Sequence, residues 1–73
     1  NSTYLYWKVP EPGKIKGYYV LVRESTSAFW QRKIFTAETE IRLPYSKDNY
    51  FFAVQSVNET GNESLPVVPG IGR

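Results

Sequence analysis

A chain of 73 residues holds one small domain at most, and such a domain buries only about 60–65% of its unfolded surface. It contains neither cysteine nor histidine, which excludes disulfide staples and removes the commonest zinc ligands and the commonest general base. Nine basic against seven acidic residues leave a net charge of +2, with the basic side chains scattered; that is too weak a bias for nucleic acid, and no stretch approaches the ~20 apolar residues that cross a bilayer.

Short β-rich runs separated by turn residues follow one another, and helical periodicity is absent. The first run is Thr3 to Val9, ended by Pro10, Pro12 and Gly13. The second is Ile15 to Arg23, with the apolar stretch Tyr18-Tyr19-Val20-Leu21-Val22. Glu24 to Ala28 is small and polar and reads as a loop. A third run spans Trp30 to Thr36 and a fourth Thr39 to Leu43, before a turn over Pro44 to Asn49. The fifth, Tyr50 to Val57, is the most strongly β-prone. Asn58 to Glu63 is a tight polar turn in which Gly61 can take positive φ. Leu65 to Val68 is expected as a final strand, and Pro66 and Pro69 suit it to a sheet edge. Residues 1–69 therefore form the domain, and Gly70 to Arg73 a loose tail. Six short strands with close turns predict an all-β antiparallel sandwich.

The residues offer little for catalysis. Ser25, Ser27 and Ser46 have no histidine to activate them. Glu38 and Glu40 share one side of a strand, but a sandwich this small has no deep cleft, so a solvated outer face is the better reading. Asp48, Asn49, Asn58, Glu59, Asn62 and Glu63 supply oxygens without the spacing of a dedicated calcium loop, and turns use such residues for backbone reasons. No catalytic, cofactor-binding or metal-binding residue is assigned, and no cofactor is expected. Three Asn-x-Ser/Thr sequons occur, at Asn1, Asn58 and Asn62. They would invite glycans in a eukaryotic secreted protein and would mean nothing in a bacterial one.

Several of these runs resemble fibronectin type III domains. Trp7 followed by Pro10 looks like that family's tryptophan strand, and Ile15-Lys16-Gly17-Tyr18-Tyr19-Val20-Leu21-Val22 like its Gly-Tyr strand. Leu43 and then Tyr50, opening Tyr50 to Val57, resemble its tyrosine corner, although the spacing is one residue longer than usual. Nothing before Thr3 corresponds to the family's first strand. The resemblance implies an immunoglobulin-like sandwich lacking that strand. Its core would be Leu5, Trp7, Ile15, Tyr18, Val20, Val22, Leu43, Tyr50, Phe52 and Val54, and the Tyr50 hydroxyl would bond to upstream backbone. The strand from Thr3 to Val9 would keep an open edge, to be met by strand exchange or pairing between copies or by residues upstream of this chain. Gly17 to Ser27, Leu43 to Tyr50 and Glu63 to Val67 are in addition similar to C-terminal modules of secreted bacterial zinc aminopeptidases. That similarity places the catalytic zinc domain outside this chain.

Alternation leaves Tyr19, Leu21 and Phe51 on the outer face of their sheet, where a solvated antiparallel sheet should carry polar residues. Together with Trp30, or with Ile34, they form a candidate interaction patch. The expected function is a non-catalytic module packing on, or spacing, the catalytic domain of a secreted, periplasmic or cell-surface protein. A carbohydrate- or cell-surface-binding module is the rival. Neither nucleic acid nor membrane is an expected partner.

Overall fold

The computed structural model describes residues 2–8 and 15–72. Asn1 with its sequon, the strand end at Val9, the Pro10–Gly13 break, Lys14 and Arg73 lie outside the described residues. Two three-stranded antiparallel sheets face one another, and no described residue is helical. The strands are β1 (Thr3–Tyr6), β2 (Ile15–Glu24), β3 (Arg32–Thr36), β4 (Glu40–Leu43), β5 (Tyr50–Asn58) and β6 (Gly70–Gly72). One sheet runs β4-β1-β6 and the other β3-β2-β5. The all-β sandwich expected from the sequence is therefore the architecture found.

β2 and β5 are the frame. Both are rich in the β-branched and aromatic residues that suit a pleated, half-buried surface. They pair along nearly their whole length, from Ile15 opposite Asn58 to Glu24 opposite Tyr50, with one register shift between Ile15 and Gly17. The pairs Val20–Val54 and Val22–Phe52 put their side chains on the inner face. Leu5, from the middle of β1, meets them from the opposite sheet. Leu5, Val20, Val22, Leu43 and Phe52 form the buried centre, and Leu5 and Val20 are wholly excluded from solvent. Trp7 lies just beyond β1, where its backbone N–H donates to the Thr39 carbonyl at 3.0 Å. Its ring stands edge-on to Tyr18 at 5.6 Å between centroids, a favoured geometry for an aromatic pair that ties the two sheets together.

Several expectations from the sequence need correction. Gly70–Gly72 is a strand and not a tail: it pairs antiparallel with β1, Tyr6 opposite Gly70 and Tyr4 opposite Gly72. A Cβ at either glycine would run into the facing tyrosine ring, so the two rings lie over bare backbone and cover it. β1 consequently has a neighbour on each side, and the open edge expected there does not exist. The C-terminal strand occupies that side of β1. Leu65–Val68, in contrast, is not a strand. Two backbone bonds join Val67 to Val54, at 2.8 and 3.0 Å, and Ser64 donates to the Ser56 carbonyl at 2.9 Å. Pro66 and Pro69 have no N–H, so no continuous ladder can form between them.

The expected core is mostly buried, with Trp7, Ile15 and Tyr50 half-buried. Ile34, offered as a patch residue, packs instead against the core. The Tyr50 hydroxyl bonds to none of the described residues, so the expected tyrosine-corner bond is absent among them. The corner is held differently. The Asn49 and Tyr50 N–H groups both donate to the Ser46 carbonyl at 3.1 Å, and the Tyr50 ring packs on Tyr45 with centroids 4.9 Å apart. The one positive-φ glycine among the described residues is Gly61, at 91°, as its turn required.

On the outer face of the smaller sheet, the Tyr4 hydroxyl donates to Glu40 and the Arg42 guanidinium lies 5.5 Å from the Tyr4 ring centre. The hydrogen bond to Glu40, helped by desolvation and by the charge of the carboxylate, raises the Tyr4 pKa above its ordinary 10.0. The fold thus favours the protonated phenol. Its contribution is complete below the ordinary value and is lost as pH rises through the raised one.

Three outcomes follow for solution measurements. In urea denaturation, Leu5→Ala should cost about 2–5 kcal/mol, a large part of a small domain's stability, whereas Leu65→Ser should stay within about 0.5 kcal/mol. Gly70→Val should displace the Tyr6 ring, cost about 1–3 kcal/mol and speed exchange of the β1 amides. In an alkaline titration read by tyrosinate absorbance, with Tyr4→Phe as the difference reference, Glu40→Gln should move the Tyr4 midpoint down. An unchanged midpoint would remove Glu40 as the cause.

Candidate interaction surface

Period-two alternation places Tyr19, Leu21 and Arg23 of β2 on the outer face of the larger sheet, beside Phe51 and Ala53 of β5 and Lys33 and Phe35 of β3. The sequence-predicted patch is therefore brought onto one face, but it is not bare. Leu21 sits between Lys33 and Ala53 and is only 5% exposed. The Lys33 ammonium is 4.4 Å from the Tyr19 ring centre, and Phe35 stands edge-on to Tyr19 at 5.6 Å. Lys33 continues into an ion pair with Glu63 at 3.1 Å, on the turn after β5. An exposed pair of this kind is worth little alone. Its effect is to hold the lysine stem across apolar surface, with the charge left in water. The expectation that Leu21 is exposed is thus corrected: basic side chains cover the middle of the face.

The exposed part of the patch is its Glu24 end. Phe51 is 49% and Trp30 41% exposed. Arg23 lies between them, its guanidinium 4.6 Å from the Phe51 ring centre and 5.4 Å from that of Trp30, and it also donates to the Ser27 carbonyl. Around the β5 edge the apolar surface continues into residues that sequence reading had assigned to an edge strand. Val68 is 84% exposed, with Val67 and Ile71 beside it. Phe51, Trp30, Val67, Val68 and Ile71 line an open groove of ≈ 540 Å³. The signal for Val67 and Val68 was present in the flanking prolines. A segment that cannot form a ladder also need not alternate between core and solvent, and both valines are left on the surface.

A second cleft of ≈ 340 Å³ opens beside Trp7 and Tyr18, against Val54 and Leu65. The buried Trp7 Nε1 has no hydrogen-bond partner among the described residues. Glu38 lies in a bend and Glu40 in β4, the latter engaged by Tyr4, so the two carboxylates do not converge on a cleft. Among the described residues no group of three or more His, Cys, Asp or Glu side chains comes together as a metal site. What the arrangement provides is a surface of aromatic and aliphatic side chains with two basic residues, Arg23 and Lys47, in its lining.

No family model matches the chain, and no solved structure does. Curated fungal proteins do. A probable zinc metalloprotease of Leptosphaeria maculans is 34% identical over 70 residues, covering 94% of this chain and 16% of its own length. A probable zinc metalloprotease of Pyricularia oryzae is 33% identical over 73 residues, covering 94% of this chain and 14% of its own length. These relatives are fungal, whereas the resemblance read from the sequence pointed to bacterial proteins. Over nearly its whole length this chain is similar to a small segment of much larger fungal proteins described as zinc metalloproteases.

Proposed function

We propose that the chain is a non-catalytic, fibronectin type III-like accessory module of a secreted zinc metalloprotease of the aminopeptidase kind, and that it packs on the catalytic domain. The observation that carries this reading is the continuous apolar groove from Trp30 and Phe51 to Val68 and Ile71. Contiguous exposed apolar surface of this sort marks a partner site more often than scattered single residues do. The relatives add the context. About one sixth of their length is matched, so the remainder of such a protein is available as a covalently linked partner. Burying Val68 and the exposed half of Phe51 against it would contribute about 1–2 kcal/mol for each side chain.

Carbohydrate binding is less well supported. A sugar would need an open ring face, and Arg23 already occupies faces of both Trp30 and Phe51.

The test is made on the full-length protease. Phe51→Ser with Val68→Ser should leave the β2 and β5 amides protected from exchange and kcat unchanged. Cleavage between the domains by an added protease should accelerate, and the thermal transition of the catalytic domain should fall. Unaltered cleavage and an unaltered transition, with the module folded, would show that this groove does not dock.

A further inference from the structure

The turn closing β5 lies at the opposite end of the larger sheet from the groove. Asn58 pairs with Ile15, whereas Phe51 pairs with Arg23, roughly 25 Å away along β2. Two sequons follow each other here, Asn58-Glu59-Thr60 and Asn62-Glu63-Ser64. We infer that this turn is a site of N-linked glycosylation, with Asn58 and Asn62 as acceptor asparagines and a lipid-linked oligosaccharide as the donor. The amide Nδ2 attacks the anomeric carbon, forming a C–N bond. The bond from that carbon to the pyrophosphate oxygen breaks, the lipid pyrophosphate leaves with the electron pair, and the amide gives up one proton. Nothing is oxidised or reduced.

Both asparagines can carry a glycan without cost to the fold, for different reasons. The Asn58 side chain is organised through its oxygen alone. Oδ1 accepts from the Thr60 N–H at 3.0 Å, the Thr60 hydroxyl at 2.7 Å and the Asn62 N–H at 2.9 Å. Nδ2, the atom that would be glycosylated, donates to none of the described residues, and an N-substituted amide keeps the oxygen that holds the turn. Asn62 is exposed, and its side chain makes no hydrogen bond with a described residue. Only its backbone is engaged: the N–H donates to Asn58 Oδ1, and the carbonyl accepts from the Asn58 N–H at 3.1 Å. Ser64, the hydroxyl of the second sequon, is exposed and accepts from the Ser56 N–H at 2.9 Å. The turn therefore needs the backbone and oxygen atoms of these residues and engages neither acceptor nitrogen. The similarity to fungal proteins supports a eukaryotic setting for the chain, in which sequons have meaning. A glycan here would shield the Ile15 end of the sheet and leave the Phe51 and Trp30 end free. The inference rests on the secreted part of the proposed function and not on docking.

The natural full-length polypeptide, expressed in a fungal host, is digested with a peptide N-glycosidase in heavy-oxygen water, which turns a glycosylated asparagine into a labelled aspartate. Mass spectrometry should find label at Asn58 or Asn62, and none in a control without enzyme. Asn62→Gln should abolish label at residue 62, and Thr60→Ala should abolish it at Asn58, each with the fold retained. Secreted protein without label at either asparagine would overturn this inference alone. Unlabelled protein retained in the cytosol would overturn it together with the secreted reading. Label on a protein whose groove does not dock would leave it standing.

Discussion

Closure of this small sandwich depends on β1 being gripped from both sides. Without a disulfide, the sheet β4-β1-β6 is held by its ladder bonds and by what Leu5 and Leu43 bury. Both neighbours are distant in sequence: Leu5 faces Ile41 on one side and Ile71 on the other. Closing such loops costs conformational entropy before any contact returns it. The return comes when Leu5 drops onto Val20 and Val22, because those valines are already aligned by the long β2–β5 pairing. The order of dependence therefore runs from β2 and β5, to β1, to the short strands that flank it.

That order also explains what was legible in the sequence. β2 and β5 were readable because their pattern is local: alternating bulky residues over nine or ten positions leave few alternatives, and their inner residues were the core that the pattern implied. β6 was not readable, because Gly70-Ile71-Gly72 has almost no strand signal of its own. Its strand character comes from Tyr4 and Tyr6, whose rings lie where glycine side chains would otherwise be. Leu65–Val68 erred in the opposite direction. Its aliphatic residues have high β propensity, but Pro66 removes a donor from the middle of the segment, and donors rather than propensity decide whether a ladder continues.

The candidate surface was half legible for a related reason. Alternation located Tyr19, Leu21 and Phe51 on one face correctly. It could not show that Lys33, opposite Leu21, would bend over Tyr19 toward Glu63, or that Arg23 would settle between Phe51 and Trp30. Long basic side chains hide apolar surface while counting as polar in any pattern. The smaller sheet does the same, with Arg42 beside Tyr4. In both sheets the outward aromatic rings are thus partly covered by the protein's own cations. This keeps the faces compatible with water, and a run of uncovered apolar side chains remains along the β5 edge.

That edge bears on how the proposed docking would work. A strand edge normally recruits partners through its free N–H and C=O groups. Here the chain itself follows β5 from Glu63 to Val67 and takes up several of those groups, while Pro66 and Pro69 break the continuation. The segment is bonded closely enough to block strand addition yet too irregular to present a ladder of its own. Its side chains are then free to point outward, which is why Leu65 and Val68 are among the most exposed apolar residues described. A partner meeting this edge would find side chains and not backbone. It would be recognised by the shape of an apolar surface, as one domain recognises another within a chain, and the proline-interrupted segment that looked like a poor strand would be its principal contact.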